Sequence, residues 1–517
     1  MTWYPDADLE LRWGEEANTH GNMEAVRQDS AAGSDGVGLH ATDSETSSAA
    51  RYRAERIGFW NGYVRKPASA GYYQRLAEIY RYLIPPHSRV LELGCGTGDL
   101  LAALEPALGV GVDFAPELLK RATENHPHLR FVQGDVDQLS LNDKFDYVIL
   151  SDLINDLWDV QSAIERVASV CTPATRVIIN IYSRLWTLPL GMAARLNLAN
   201  RSLNQNWLTL ADLDNILALG GFEVVRQWQE VLFPPALPLL ARFCNRYLVK
   251  LWPFRHLALT NFIVARLGPE AGTEARGPEA VVSVIVPARN EAGNIENVVQ
   301  RVPEMGAGTE IVFVEGHSRD DTYAAIEAAI ARHPERRMRL LQQSGAGKGD
   351  AVRLGFAEAK GGVLMILDAD LTVAPEDLPR FYRALRSGRG EFINGVRFVY
   401  PMEKQAMRFL NLLGNKFFSI AFSWLLGQNV KDTLCGTKVL SRADYDTIAA
   451  NRAYFGDFDP FGDFDLIFGA AKLDLKIVDM PVRYHERTYG QTNIQRWSHG
   501  WLLLRMFSFA LRRLKFV

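Results

Sequence analysis

Two aspartates one residue apart, Asp368 and Asp370, close the stretch VLMILDAD at 363–370. Val363 to Asp368 reads as a buried strand, so both carboxylates stand at the mouth of a core. Two close carboxylates repel each other and lose hydration. A divalent cation with oxygen ligands, Mg2+ or Mn2+, relieves both costs. It can also bridge a diphosphate and neutralise a departing nucleotide. Other polar groups follow strand-like runs upstream. VVSVIV (281–286) leads into Pro287, Arg289, Asn290 and Glu291, TEIVFVE (309–315) ends on Glu315, and SGAGKGD (344–350) carries Lys348. Polar loops after strand ends are where an open α/β sheet binds ligands.

A second chemistry-bearing segment lies earlier. RVLELGCGTGDLLAAL (89–104) reads as strand, glycine turn, helix, with Gly94, Gly96 and Gly98 allowing a tight bend and close approach to a ligand. The G-x-G-x-G spacing fits the dinucleotide fingerprint poorly, and no Lys-Ser/Thr follows to make a P-loop. Asp113 ends the next strand, and Asp135-Val136 follows a third. A carboxylate at Asp113 can accept two hydroxyl hydrogen bonds at once. Asp152, Asp156 and Asp159 are either helix-start caps or substrate contacts. Tyr182 and Arg184 read as ordinary surface polarity.

Residues 75–182 resemble the class I S-adenosylmethionine-dependent methyltransferases. The resemblance implies a Rossmann-like sheet in which Glu92, Gly94, Gly96, Gly98, Asp113, Asp135 and Val136 hold the cofactor, Asp113 on the ribose and Asp135-Val136 beside the adenine. No catalytic base stands out, and proximity can carry much of such a rate.

Residues 281–500 are similar to family 2 glycosyltransferases of the GT-A fold, in particular the dolichol- and polyprenyl-phosphate branch. The resemblance implies a nucleotide-sugar donor beside Pro287, Arg289, Glu291, Glu315, Lys348 and Asp368. It implies a metal on Asp368 and Asp370, and inversion at the anomeric carbon. Asp463 and Asp465 match the family's late carboxylates, either of which could serve as base toward a hydroxyl. Arg397, Arg408 and Asn415 lie in a matching segment, as does Gly436 in DTLCG. Arg487 and Gly490 begin the loop that closes over phosphate, so Arg487 and Arg408 would position an ionised polyprenyl-phosphate acceptor. A glycan is the other acceptor. Glu315-Gly316, Thr372 and Thr492-Asn493 depart from the family pattern.

These groups need two α/β domains to position them. The chain's 517 residues exceed one ordinary core. Strand-like and helix-like runs alternate on both sides of LGPEAGTEARGPEA (267–280), whose composition reads as a linker. The expected organisation is an acidic N-terminal tail at 1–50, disordered from Ser30 to Ala50, a methyltransferase domain at 51–267, a linker at 268–280 and a glycosyltransferase domain at 281–517. YRAERIGFWNGY (52–63) is either a lid or, as favoured, core. Four scattered cysteines suggest reduced thiols and no zinc site. The formal charge of −3 argues against a general nucleic-acid partner. No apolar run is long enough to span a bilayer, which implies a cytoplasmic protein. The basic end 483–517 reads as a peripheral membrane contact or a docked helix, and Phe417–Leu426 as a second interfacial element.

Overall fold

A computed structural model describes residues 41–64, 66, 69–136, 141–196, 203, 205–206, 208–235, 237–269, 278–397, 409–454, 464–485, 487, 489 and 496–516. The chain divides into two compact units, the first running to Leu267 apart from Val225–Trp228, which group with the second from Gly268 onward. Each contains one seven-stranded sheet.

In the first unit, helices α1 (Ala41–Asn61) and α2 (Ala70–Leu83) precede β1 (Arg89–Leu93), α3 (Asp99–Ala103), β2 (Leu108–Asp113), α4 (Pro116–Asn125), β3 (Arg130–Gln133) and β4 (Tyr147–Ser151). Then come α5 (Val160–Ser169), β5 (Arg176–Tyr182), α6 (Thr187–Arg195), α7 (Leu210–Leu219), β6 (Phe222–Glu230), α8 (Pro238–Arg246) and β7 (Thr260–Leu267). The sheet order is β3-β2-β1-β4-β5-β7-β6. Strands β1 to β5 run parallel, and β7 returns antiparallel to β5 with Tyr182 opposite Thr260. Parallel strands covered on both faces read as unbroken apolar runs. VIL of β4 and VIINI of β5 are buried accordingly. Residues 41–50, expected to be disordered, belong to α1 instead. The tail before Ala41 lies outside the described residues, as do 270–277 of the linker.

The second unit runs β8 (Val282–Ala288), α9 (Ile295–Arg301), β9 (Thr309–Glu315), α10 (Thr322–Arg332), β10 (Arg337–Gln342), α11 (Lys348–Glu358), β11 (Val363–Ile366) and α12 (Leu378–Arg386). It continues with β12 (Phe392–Val396), α13 (Phe409–Leu426), β13 (Lys438–Ser441), α14 (Arg442–Ala450), α15 (Phe464–Lys472), β14 (Ile477–Pro481) and α16 (Arg496–Ala510). The order β10-β9-β8-β11-β13-β12-β14 is parallel through β11, while β13 is antiparallel to β11 and β12.

Phe418, Phe422, Leu425 and Leu426 of α13 are buried in one core cluster with Phe464 and Phe468 of α15 and Leu503 and Met506 of α16. That corrects the expectation for Phe417–Leu426, because an inward-facing aromatic stripe serves the core; Phe417 and Ile420 are its exposed residues. The basic C-terminal helix is likewise docked through one face, leaving Trp501 exposed.

Candidate functional sites

Both sheets reverse their winding order beside the first strand of the unit, between β1 and β4 and between β8 and β11. Loops leaving the carboxyl ends of strands diverge there and leave a crevice.

In the first unit this crevice is a cavity of about 410 Å³. Gly94, Asp113, Asp135 and Val136 line it, with Phe114 and Leu153. Gly94 has a left-handed φ of 72°, and a Cβ there would meet Leu153 Cδ1 at 2.8 Å. Gly96 N donates to Asp113 Oδ2 at 2.8 Å and Ala115 N to Oδ1 at 2.9 Å. Burial raises the proton affinity of Asp113, while these N–H groups oppose the rise. Each oxygen keeps a lone pair for a further donor. Gly98 does not line the cavity; its Cβ position is filled by Phe131. Glu92 is buried behind the loop and also does not line it.

The outer wall comes from the segment 52–63, whose sequence favours core over a lid. Tyr52, Arg53, Arg56 and Ile57 of α1 line the cavity, so this helix face is a cover rather than core alone. Their spacing, 52/56 and 53/57, is the signal that places them on one helix face. Arg53 Nε lies 2.5 Å from Asp135 Oδ2, and Arg56 Nε donates to Asp156 O at 3.0 Å.

The three loop aspartates separate in role. Asp159 caps α5, accepting from Ser162 N at 3.0 Å. Asp156 is buried in the cavity wall beside Arg56. Asp152 has a left-handed φ of 54° and accepts from Tyr72 at 2.9 Å, Tyr182 at 3.1 Å and Asn180 at 2.5 Å. Burial pushes its pKa up to about 6 against the pull of those donors. Tyr182 thus belongs to a network, not to surface polarity.

In the second unit, Asp368 and Asp370 follow β11 at the reversal point. Lys348 Nζ, at the start of α11, lies 2.7 Å from Asp368 Oδ1. Burial alone would raise the Asp368 pKa, but the charges of Lys348, Lys438 and Arg397 hold it below the ordinary value. Thr372 N and Oγ1 donate to Asp370 Oδ1 at 3.1 and 2.8 Å. Arg487 Nη2 meets Asp370 Oδ2 at 2.6 Å, and its Nη1 meets Glu291 Oε1 at 3.1 Å. Glu291 is buried, and desolvation raises its pKa to about 7, opposed by Arg487. Glu291, Arg487 and Asp370 are therefore one connected group, and Lys348 and Asp368 are a second pair beside it, with one residue between Asp368 and Asp370 in the chain.

Other expected residues stand apart from that group. Glu315 is buried and bound to its own turn, accepting from Ser318 N at 2.5 Å and Gln342 Nε2 at 3.3 Å. Pro287 lies within β8 opposite Val314, and Arg289 is exposed above Gly316. Arg397 makes a buried bidentate pair with Asp432 at 2.7 and 2.8 Å. Asp465 is buried between Arg353 at 3.4 Å and Arg452 at 3.5 Å, its charge engaged by two guanidiniums. Asp463, Arg408, Gly490 and the Asn415 side chain lie outside the described residues.

Two carboxylates offering only oxygen suit Mg2+ or Mn2+, which take one or two protein carboxylates and complete their shell with phosphate and water. Among the described residues no three His, Cys, Asp or Glu side chains form a metal cage. The four cysteines are free and buried. No helix among the described residues is long and apolar enough to cross a membrane.

Residues 90–174 match the family model for a methyltransferase domain, and residues 283–448 that for glycosyl transferase family 2. Glycosyltransferase AglJ of Haloferax volcanii is 28% identical over 228 residues, 44% of this chain and 70% of that one. A dolichol-phosphate mannosyltransferase of Pyrococcus furiosus is 34% identical over 120 residues, 23% of this chain and 33% of that one. The chain thus spans a third of the mannosyltransferase's length. A solved magnesium protoporphyrin IX methyltransferase from Synechocystis PCC 6803 is alike at 18% identity and a TM-score of 0.30, covering 43% of this chain and 99% of that one.

Proposed function

We propose that this chain, which joins a methyltransferase domain to a family 2 glycosyl transferase domain, is a bifunctional transferase. The first unit transfers a methyl group from S-adenosylmethionine. The second transfers a sugar, with inversion, from a nucleotide-sugar donor to a polyprenyl phosphate in the making of a cell-surface glycan or glycolipid. The enzyme would act at the cytoplasmic face of a membrane. The observation that carries the reading is the pair of carboxylates at the reversal point of the second sheet, Asp368 held by Lys348 and Asp370 held with Glu291 by Arg487. The likeness to a dolichol-phosphate mannosyltransferase supports the acceptor class.

In the second unit, Asp368 and Asp370 would hold Mg2+ or Mn2+, which supplies positive charge beside the donor's diphosphate. Lys348, 2.7 Å from Asp368, would take a phosphate oxygen in exchange for that carboxylate. Arg487 would pair with an anionic oxygen as a fork in exchange for Asp370 and Glu291. An ionised acceptor phosphate attacks the anomeric carbon, the bond to the diphosphate breaks, and its electron pair leaves with the nucleotide. This acceptor needs orientation and no base, which suits a site where Asp465 is engaged by two arginines.

In the first unit, Asp113, Asp135 and Val136 would hold S-adenosylmethionine, which supplies an electrophilic methyl. The α1 face with Tyr52 and Arg56 would exclude water from the cavity.

The test offers the full chain a panel of UDP- and GDP-sugars with Mg2+ or Mn2+ and a short polyprenyl phosphate, with Asp370→Asn as control. Metal-dependent transfer to the lipid, lost in the variant, is expected. Donor hydrolysis without lipid product would move the acceptor to a glycan. Absence of metal-dependent nucleotide binding would overturn the site. Cofactor binding without methyl transfer to any glycan or lipid acceptor would make the first unit a ligand-binding module.

A further inference from the structure

The first unit exposes large apolar side chains at one end of its sheet. Leu188 and Leu196, on and just after α6, are 78% and 71% exposed. Leu239 on α8 is 88% exposed, and Trp252 beyond it 75%. The two stretches arise from one place. The α6 stretch leaves the carboxyl end of β5, and the α8 stretch returns into the start of β7, opposite in register at Tyr182 and Thr260. Trp186 Nε1 ties them together through a hydrogen bond to Leu257 O at 2.9 Å. Isolated exposed leucines are ordinary, but several large ones on two stretches joined in this way point to an interaction surface.

Charge selects the partner. Residues 183–211 and 231–267 contain no Asp or Glu, and they carry Arg184, Arg195, Arg242, Arg246 and Arg255. Exposed apolar side chains on stretches that carry arginines, Arg184, Arg195 and Arg242 among them exposed, and no acids match the boundary between acyl chains and anionic headgroups. We infer that the first unit docks on an anionic lipid surface through α6, α8 and the turn around Trp252. The surface lies at the same end of the sheet as Asp113 and Leu153 of the cavity, because α6 follows the carboxyl end of a strand parallel to β1, β2 and β4. The inference rests on this unit's surface alone, independent of either transfer reaction.

Flotation of the full chain with phosphatidylcholine vesicles, with and without roughly a third phosphatidylglycerol, tests it. The parent chain should float with the anionic vesicles and much less with the neutral ones. Leu239→Glu combined with Trp252→Glu should lower the bound fraction at least about tenfold. Both positions are exposed, so the melting temperature should hold. Trp501→Glu on the C-terminal helix should float like the parent. Equal flotation of the parent and the double variant would overturn the inference. So would loss of flotation in Trp501→Glu alone. A parent that does not float but sediments as a dimer, which the double variant dissociates, would assign the surface to a second copy and also overturn it.

Discussion

Arg487 holds Asp370 through a 2.6 Å contact while its other terminal nitrogen holds Glu291 at 3.1 Å. One guanidinium thereby ties the loop after β14 to the loops after β11 and β8. The fork geometry of arginine supplies both contacts at once.

Replacing that fork should be costly. Arg487→Gln is expected to lower sugar transfer about 100-fold, the size of effect seen when one preorganised charge-stabilising donor is removed. Arg487→Lys should recover only a part, since an ammonium cannot make the paired contact. Steady-state transfer rates at saturating donor check both, and circular dichroism should be unchanged.

Gly436 faces the Asp368 carboxylate so closely that a Cβ would collide with it, and would meet Lys348 Nζ at 2.5 Å. Gly436→Ala should therefore displace Asp368 and reduce sugar transfer at least about tenfold. Binding of S-adenosylmethionine, measured by calorimetry on the same preparation, should be unaffected.

In the first unit, Asp113→Ala removes the carboxylate that the glycine loop and Ala115 orient. Loss of a charged hydrogen-bonding partner predicts about 10- to 100-fold weaker S-adenosylmethionine binding. Calorimetric titration of the variant checks this, with sugar transfer retained.

Asp152 makes a pH prediction. Its folded-state pKa of about 6 exceeds the ordinary value of 3.8, so between those values the folded chain holds a proton that the unfolded chain has released. Stability from this group is present below about pH 4 and is lost as pH rises through about 6, by up to about 3 kcal/mol. Urea unfolding of parent and Asp152→Asn at pH 4.5, 5.5 and 7 should show the parent losing stability over that range. The variant, which cannot ionise there, should show a flatter profile.

Phe422 is fully buried, with the rings of Phe464, Phe468 and Phe507 within 6 Å. Phe422→Ala should destabilise the second unit by about 3–5 kcal/mol, read from its denaturant midpoint. A much smaller loss would mean that α13 is not the core element described above.

Much of this was legible along the chain because it is local. The glycine turn after β1, the acids closing β2 and β11, and the lysine opening α11 each follow from a few adjacent residues, and strand burial on both faces shows as unbroken apolar runs. Partnership across the fold was not legible. Arg53 and Arg56 come from a helix whose sequence fitted a lid or, as favoured, core, and they wall the cavity beside Asp135 and Asp156. Asp159 and Asp152 look alike in SDLINDLWD, but one begins a helix while the other meets Tyr72, 80 residues earlier. Asp465 matched a catalytic pattern, and only packing brought Arg353 and Arg452 to it. Residue type and spacing by themselves determined the two α/β units and the chemistry each site could hold, because those depend on local backbone geometry and side-chain charge. Which carboxylates stay available and which are held by cations was decided by tertiary structure, because those contacts join residues tens to hundreds of positions apart.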